Sequence, residues 1–362
     1  MLNLLRLLIF RAYRNHVIKK HELNYLFWEC TLRCNLNCLH CGSDCLKTSS
    51  IKDMPLKDFI PVLDDVKKNL KSRNLTVCIT GGEPLLRSDL ELAGREIASR
   101  GFKWGIVTNG MLLTPERFSS LVKSGMSSIS FSLDGFKEQH SYLRQNPESF
   151  EKTVAAIKTV VNFQKKHPWF AFDVITCVHK SNLSELAEFR DFLIELGVKN
   201  WRIFSIFPSG RAGKNELSLS GPQYVELMKF IAQTRRYKTE DGKSLHLNYS
   251  CEGWLGKWEL KVRDYYFFCR AGINVASVMC DGSVSGCLSV RGKDFIQGNI
   301  YEKNFMEIWN NGFSVMRNRK WTKKGKCARC PQYKNCLGNG IHLYKSMQDE
   351  VSHCNYEMLK IK

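Results

Sequence analysis

The segment Leu23-Asn-Tyr-Leu-Phe-Trp-Glu29-Cys30-Thr-Leu-Arg-Cys34-Asn-Leu-Asn-Cys38-Leu-His-Cys41 joins an apolar run to three spaced cysteines. The apolar run predicts a buried strand, and the three cysteines follow it in a loop. Separated by three and then two residues, their thiolates can surround one face of a cubane iron–sulfur cluster and leave one iron without a protein ligand. Such an iron can chelate the amino and carboxylate groups of a cofactor. The alternative is zinc or a closed cluster, because Cys30 and Cys45 lie nearby and could supply a fourth ligand.

Beyond this loop the chain alternates between apolar runs and amphipathic helices, which predicts a parallel α/β sheet, closed or partly closed. Apolar residues recur at helical spacing over 56–73, and Thr114-Pro115 is a typical helix start. Further helices are predicted near 148–166, 183–196 and 221–236. The six predicted strands are 23–29, 75–80, 103–108, 127–133, 170–178 and 200–206.

Polar turns follow three more of the predicted strands, at the end where parallel sheets gather ligands. The second strand leads into Thr80-Gly81-Gly82-Glu83-Pro84, whose glycines let the backbone approach a ligand and whose Glu83 side chain can accept from an ammonium group. Thr108-Asn109-Gly110 follows the third strand, and Ser132-Leu-Asp134-Gly135, with Arg144 downstream, follows the fourth. Singly, these are a tight turn and an exposed cation. Together they predict a row of polar groups along one rim.

With these motifs the sequence resembles the radical S-adenosylmethionine (SAM) superfamily over about residues 21–215 and again in the C-terminal region. The resemblance implies a partial (β/α)6 TIM-like barrel followed by a small cysteine-rich domain. It implies that a [4Fe-4S] cluster on Cys34, Cys38 and Cys41 cleaves SAM to methionine and a 5′-deoxyadenosyl radical, which abstracts hydrogen from an unactivated C–H bond. By the same resemblance, Gly81, Gly82 and Glu83 hold the methionine amino group. Ser132 and Arg144 would meet ribose or carboxylate, with His40 beside the adenine. The predicted cofactor-binding set is His40, Gly81, Gly82, Glu83, Pro84, Thr108, Asn109, Ser132 and Arg144.

The C-terminal region carries a second group of cysteines and resembles the SPASM extension, in which seven cysteines hold two auxiliary [4Fe-4S] clusters. The family pattern has a further cysteine where this chain has Gly340, so the cluster nearer the barrel lacks one ligand. Either Cys251, Cys280 or His342 replaces that ligand or one iron stays open, and an incomplete site is the prediction. The resemblance assigns Cys269 and Cys287 to this proximal cluster and Cys327, Cys330, Cys336 and Cys354 to the distal one.

The amino-acid composition indicates the cellular compartment and the kind of partner to expect. Lys and Arg outnumber Asp and Glu by 54 to 35, which favours an acidic partner or simply keeps the protein soluble. Because no run of five basic residues occurs, a nucleic-acid partner is not expected. Fifteen cysteines without a signal peptide indicate thiolate ligands in a reducing cytoplasm. The predicted division is a basic amphipathic helix over 1–20, the barrel over 21–245 and the iron–sulfur domain over 246–362.

Residues 1–20 admit two interpretations. Leu4, Leu5, Leu8 and Phe10 can cap the open bottom of the barrel, which is preferred, or rest on a membrane surface. The second interpretation would make the protein peripherally membrane-associated.

The leading functional expectation is radical modification of a peptide or protein, which could be a lipoprotein, with electrons supplied by a flavodoxin or ferredoxin. The alternatives are an anaerobic sulfatase-maturing enzyme, a small-molecule enzyme of the haem-precursor type and a non-catalytic electron carrier. Leu288 counts against the first alternative, because that family has an acidic residue there. No catalytic acid or base is predicted. Candidate residues at the barrel mouth, expected more often to be structural, are Glu29, Asp173, Thr176, His179 and Arg202.

Overall fold

The computed structural model describes residues 2–70, 74–250 and 253–360. Its strands form one ten-stranded sheet in the order β10-β9-β8-β1-β2-β3-β4-β5-β6-β7. The strands β1 to β8 pair in parallel along this order, while β9 and β10 pair antiparallel. The strands are Tyr25–Thr31 (β1), Thr76–Gly81 (β2), Lys103–Thr108 (β3), Met126–Ser132 (β4), Ala171–Val178 (β5), Asn200–Ser205 (β6), His246–Tyr249 (β7), Val275–Val278 (β8), Ser283–Ser285 (β9) and Gly298–Asn299 (β10).

Helices connect successive parallel strands and cover the sheet with their apolar faces. Helix α2 follows β1 and buries Leu56, Phe59, Val62, Leu63 and Val66, with Phe59 stacked on Trp28 of β1 at a centroid distance of 4.3 Å. The helices are Leu2–Lys20 (α1), Leu56–Asn69 (α2), Leu90–Ser99 (α3), Pro115–Lys123 (α4), Lys137–Arg144 (α5), Ser149–Lys166 (α6), Leu186–Glu195 (α7), Gly221–Thr234 (α8), Glu259–Val262 (α9), Phe305–Asn311 (α10), Ser314–Arg317 (α11), Tyr333–Cys336 (α12) and Asn355–Met358 (α13).

The predicted α/β architecture is confirmed, and the sheet has four strands beyond the six predicted, two of which pair directly with predicted strands. Strand β7 pairs with β6 and β8 pairs with β1, so each flanks the six predicted strands. Both lie after residue 245, and each has only four residues, too few for a clear periodic signal. In the described ranges no pairing joins β7 to β10, so the sheet stays open. Because the C-terminal region contributes strands to the barrel sheet, the predicted boundary at 245/246 marks a change in sequence character within one sheet.

Helix α1 packs on the cysteine-rich region. Phe10 is buried against Trp254, Phe268 and Ile273, and Arg14 donates to the backbone oxygen of Asn335 at 2.7 Å. The preferred capping interpretation is therefore wrong for the leucines: Leu4, Leu5 and Leu8 are half or more exposed. A single apolar face was expected, but the helix splits its apolar residues between two sides. Among the described residues, no helix is long and apolar enough to cross a membrane.

Candidate active site

A cavity of about 310 Å³ opens at the carboxyl ends of the barrel strands. The strand-end turns and the cysteine loop contribute its wall, as the rim prediction requires. Its lining includes ten of the sequence-predicted residues, namely Cys34, Cys38, His40, Cys41, Gly81, Gly82, Thr108, Asn109, Ser132 and Arg144. Glu83 and Pro84 are not part of the wall.

The cysteine loop is closed by its own backbone. The N–H of Cys34 donates to the Leu46 oxygen at 2.7 Å, so the loop returns to its starting point. Burial raises the pKa of Cys34 to about 12, whereas a hydrogen bond from the Cys45 thiol lowers the pKa of Cys41 to about 6. Three soft sulfur donors from one loop, all on the wall of one cavity, are a donor set suited to an iron–sulfur cluster.

The Gly81–Gly82 turn crosses directly over this loop. Gly81 has φ +142°, and a Cβ there would lie 2.1 Å from the Thr31 oxygen. A Cβ on Gly82 would lie 2.0 Å from the Arg33 oxygen, and its N–H donates to the Thr31 oxygen at 2.8 Å. The glycines were expected to permit close approach to a ligand. In the structure, their lack of side chains allows the backbone of this turn to pack closely against the cysteine loop. The turn thereby fixes the position of that loop.

The carboxylate of Glu83 is turned into the protein. It accepts from the Thr108 hydroxyl and the Asn109 N–H, each at 2.8 Å, and from the Leu85 N–H at 3.1 Å. Burial raises its pKa to about 7 against the effect of these three donors. Glu83 therefore ties the turn after β2 to the turn after β3, and its predicted direct contact with an ammonium group finds no support in this geometry.

Arg144 is buried and paired. Its guanidinium donates to Asp134 at 2.6 and 2.7 Å and also lies 3.7 Å from the Cys38 sulfur. Burial alone would raise the pKa of Asp134, but Arg144, His40 and His140 together lower it to about 2. Taken singly, Arg144 could have been an exposed cation, and its burial excludes that alternative. Asp134, part of the predicted rim but absent from the predicted site, orients Arg144.

The candidate mouth residues are structural, as expected. Arg202 pairs with Asp173, and Trp201 donates to the Thr176 hydroxyl at 2.8 Å. Glu29 is buried beside Arg291, and His179 is buried near the end of β5. None of the mouth candidates lines the cavity.

The four predicted distal cysteines meet in a second, small cavity. Cys327, Cys330, Cys336 and Cys354 line it together with Trp254, Tyr333 and Tyr356. Four thiols around one space, with aromatic rings shielding it, fit a closed auxiliary cluster. The signal in the sequence was the spacing of the first three cysteines.

The proximal site is less complete. Cys269 and Cys287 lie near one another, but the Cys280 thiol donates to the Lys52 oxygen at 3.1 Å and so points toward the barrel. His342 is buried against Phe207 with ring centroids 4.5 Å apart. Cys251 lies outside the described residues. The open-site prediction therefore stays a prediction, with Cys280 facing the wrong way to complete it.

Sequence analysis missed several residues of the cavity wall. Arg211 donates to the backbone oxygens of Cys38 and Cys45, at 2.8 and 3.0 Å, and so fastens the cysteine loop to the segment after β6. Cys177 and Ser289 also reach the wall. These three residues had no local signal, because they reach the wall through contacts between distant segments. Cys45, which also lines the wall, had been named as a possible fourth ligand.

Comparisons with known proteins agree with this architecture. A model of the radical SAM superfamily matches residues 28–193, and a SPASM model, described as an iron–sulfur cluster-binding domain, matches residues 269–331. The chain is 29% identical over 352 residues to an AdoMet-dependent heme synthase of Methanosarcina barkeri, covering 91% of this chain and 95% of that protein. It is 28% identical over 320 residues to the mycofactocin maturase MftC of Mycolicibacterium smegmatis, covering 86% and 76%.

Solved structures share the fold. Streptococcus suis SuiB bound to S-adenosylmethionine matches with a TM-score of 0.71 at 19% identity, over 92% of this chain and 78% of that one. Native anSMEcpe with bound AdoMet matches with a TM-score of 0.68 at 20% identity, over 92% and 94%. With both family models matched and the cysteines gathered at two cavities, the chain belongs to the radical SAM superfamily, uses SAM and a [4Fe-4S] cluster, and carries a C-terminal SPASM domain.

Proposed function

We propose that this enzyme oxidises a side chain of a peptide or protein, with the SPASM region receiving the electron that remains after hydrogen abstraction. The observation that carries the proposal is the shared cavity wall. Ser289, two residues after Cys287, lines the same cavity as Cys34, Cys38 and Cys41. An electron acceptor held by Cys287 would therefore border the place where the substrate radical forms.

The cluster and SAM, when bound, supply a 5′-deoxyadenosyl radical. The chain's own residues position them. Cys34, Cys38 and Cys41 would hold the cluster, and the Gly81–Gly82 turn keeps their loop in place. Arg144, oriented by Asp134, offers a fixed cation to a carboxylate on the cavity side.

The size of the cavity favours a substrate that inserts only one side chain. Its 310 Å³ lies at the lower end of the range of about 300–1,000 Å³ for small-molecule sites, so SAM would occupy most of it. Phe204, Ile206 and Phe207 form an apolar part of the wall. A peptide side chain can reach past such a wall while the rest of the peptide stays outside, and the net charge of +19 suits an acidic peptide or an acidic flavodoxin or ferredoxin as electron donor.

A second candidate is oxidation of a haem precursor. It is favoured by the heme synthase relatives, which align with nearly the whole chain. A carboxylate-bearing arm of a macrocycle would enter the cavity as a side chain does, and the excess of basic residues would suit its charge. Sulfatase maturation is not proposed, because Leu288 stands where an acidic residue is expected.

The test uses anaerobic, cluster-loaded enzyme with SAM and a reductant. We expect the enzyme to form 5′-deoxyadenosine slowly without substrate and faster with the correct substrate. Mass spectrometry monitors both 5′-deoxyadenosine and the modified substrate. Candidate peptides and Fe-coproporphyrin III are compared side by side. In the Cys34→Ala, Cys38→Ala, Cys41→Ala triple variant, 5′-deoxyadenosine should disappear while auxiliary iron remains. Stimulation by the porphyrin alone would overturn the peptide proposal.

A further inference from the structure

We propose that Cys45 is an exchangeable fourth ligand of the barrel cluster, bound to its open iron in the absence of SAM and displaced when SAM binds. The inference rests on the assignment of Cys34, Cys38 and Cys41 as cluster ligands. It goes beyond that assignment because a three-cysteine motif supplies no fourth ligand.

The first support is the shape of the cysteine loop. The bond from the Cys34 N–H to the Leu46 oxygen closes the loop and returns Cys45 to the neighbourhood of the first cysteine. The N–H of Cys45 donates to the Cys41 sulfur at 3.4 Å, and its thiol donates to the Ser43 oxygen at 3.9 Å within the same loop. Cys45 is thus held against the ligand set by backbone geometry.

The second support is the shared cavity. Cys45 is only 4% exposed, and it lines the same cavity wall as Cys34, Cys38 and Cys41. Arg211 binds the oxygens of Cys38 and Cys45 together, which keeps both ends of the loop at one site. Cys30, the other nearby cysteine, is fully buried in β1 and is absent from the wall. The structure therefore separates two cysteines that the sequence left equivalent.

The exchange balances without a redox step. The bond between iron and the Cys45 sulfur breaks, and bonds from iron to the amino nitrogen and carboxylate oxygen of SAM form. The ammonium group of SAM must lose a proton to become a ligand, and the departing thiolate of Cys45 takes one up. The thiol formed can then donate to the Ser43 oxygen, a contact that the structure contains at 3.9 Å. A free iron site would otherwise be open to water and oxidant whenever SAM is absent.

The experiment compares wild type, Cys45→Ala, Cys45→Ser and the matched control Cys30→Ser, all with clusters loaded. Mild oxidation without SAM should convert the barrel cluster to a three-iron form in both Cys45 variants but little in wild type or Cys30→Ser. Low-temperature electron paramagnetic resonance measures this form. The Cys34→Ala, Cys38→Ala, Cys41→Ala variant gives the contribution of the auxiliary clusters, which is subtracted.

The second measurement is SAM affinity by equilibrium dialysis. Because Cys45 competes with SAM, its removal should tighten binding, by about tenfold if nine-tenths of the SAM-free enzyme holds Cys45 on iron. A merely structural Cys45 would give the opposite sign. Weaker or unchanged SAM binding, or equal three-iron signals in all four proteins, overturns the proposal. So does loss of the barrel cluster in both Cys45 variants, because Cys45 would then be a permanent ligand. Failure of the triple variant to lose SAM cleavage would instead refute the underlying cluster assignment.

Discussion

Replacing Glu83 tests whether the turn after β2 binds SAM directly or holds the site together. In Glu83→Gln one oxygen can still accept from Thr108 and Leu85, but the amide nitrogen faces the Asn109 N–H. One buried donor then lacks a partner, at a cost of about 1–3 kcal/mol in the free energy of unfolding. Glu83→Ala leaves both backbone donors unpaired, at about 2–6 kcal/mol. The Thr108 hydroxyl can rotate, so it is not counted.

Both variants should keep the iron of the barrel cluster. Their affinity for SAM should decrease from wild type to Glu83→Gln to Glu83→Ala, in parallel with the free energy of unfolding. Chemical denaturation gives the unfolding free energy, iron analysis gives cluster content and equilibrium dialysis gives the SAM affinity. Glu226→Gln, on the exposed face of α8, is the control and should leave all three unchanged. If Glu83→Gln has the stability of wild type but binds SAM ten times more weakly, Glu83 contacts SAM itself and the reasoning from its three donors is refuted.

Two further substitutions test contacts that position the site. Burial lowers the pKa of His140 to about 4, and its Nδ1 accepts from the Asp134 N–H at 3.0 Å. As pH falls, the unfolded chain therefore binds a proton at His140 before the folded protein does. Between pH 7.5 and pH 5 the free energy of unfolding of wild type should fall by about 2 kcal/mol more than that of His140→Asn, measured by denaturation at both values. Equal pH dependence of the two proteins would contradict the assignment. Arg14→Ala removes charged donors to two backbone oxygens and should lower the free energy of unfolding by about 3 kcal/mol or more. The control Arg6→Ala, at an exposed position, should leave it unchanged. Equal thermal midpoints of the two variants would show that α1 is not anchored by Arg14.

Much of the barrel could be predicted because its local patterns agree with its tertiary packing. The spacing of Leu56, Phe59 and Leu63 predicts a helix, and the same residues form its buried face. Thr114 predicts the start of α4 and indeed accepts from the Arg117 N–H. The distal cysteines were assigned through the resemblance to the SPASM extension, and they line one cavity.

The remaining features depend on contacts that no local pattern contains. Glu83 was assigned to SAM because it lies in a turn at the correct end of the sheet, but Asn109, far along the chain, takes its carboxylate. Arg144 taken singly could have been an exposed surface cation, and only its pairing with Asp134 allows it to be buried. Burying a charged side chain is costly unless it has a partner. Whether such a side chain is buried or exposed therefore depends on which residue the fold places beside it.

The same principle explains how the barrel and the C-terminal region form one site. Glu29 at the end of β1 is buried, and Arg291, four residues after Cys287, pairs with it. Arg291 also donates to the Ser43 hydroxyl at 3.2 Å, within the cysteine loop. Because the buried carboxylate is paired with this cation and also accepts from the Cys280 N–H at 3.2 Å, these contacts hold the loop carrying Cys287 against the loop carrying Cys41. The wall formed by both loops, on which Cys34, Cys38, Cys41 and Ser289 lie together, is therefore a consequence of folding.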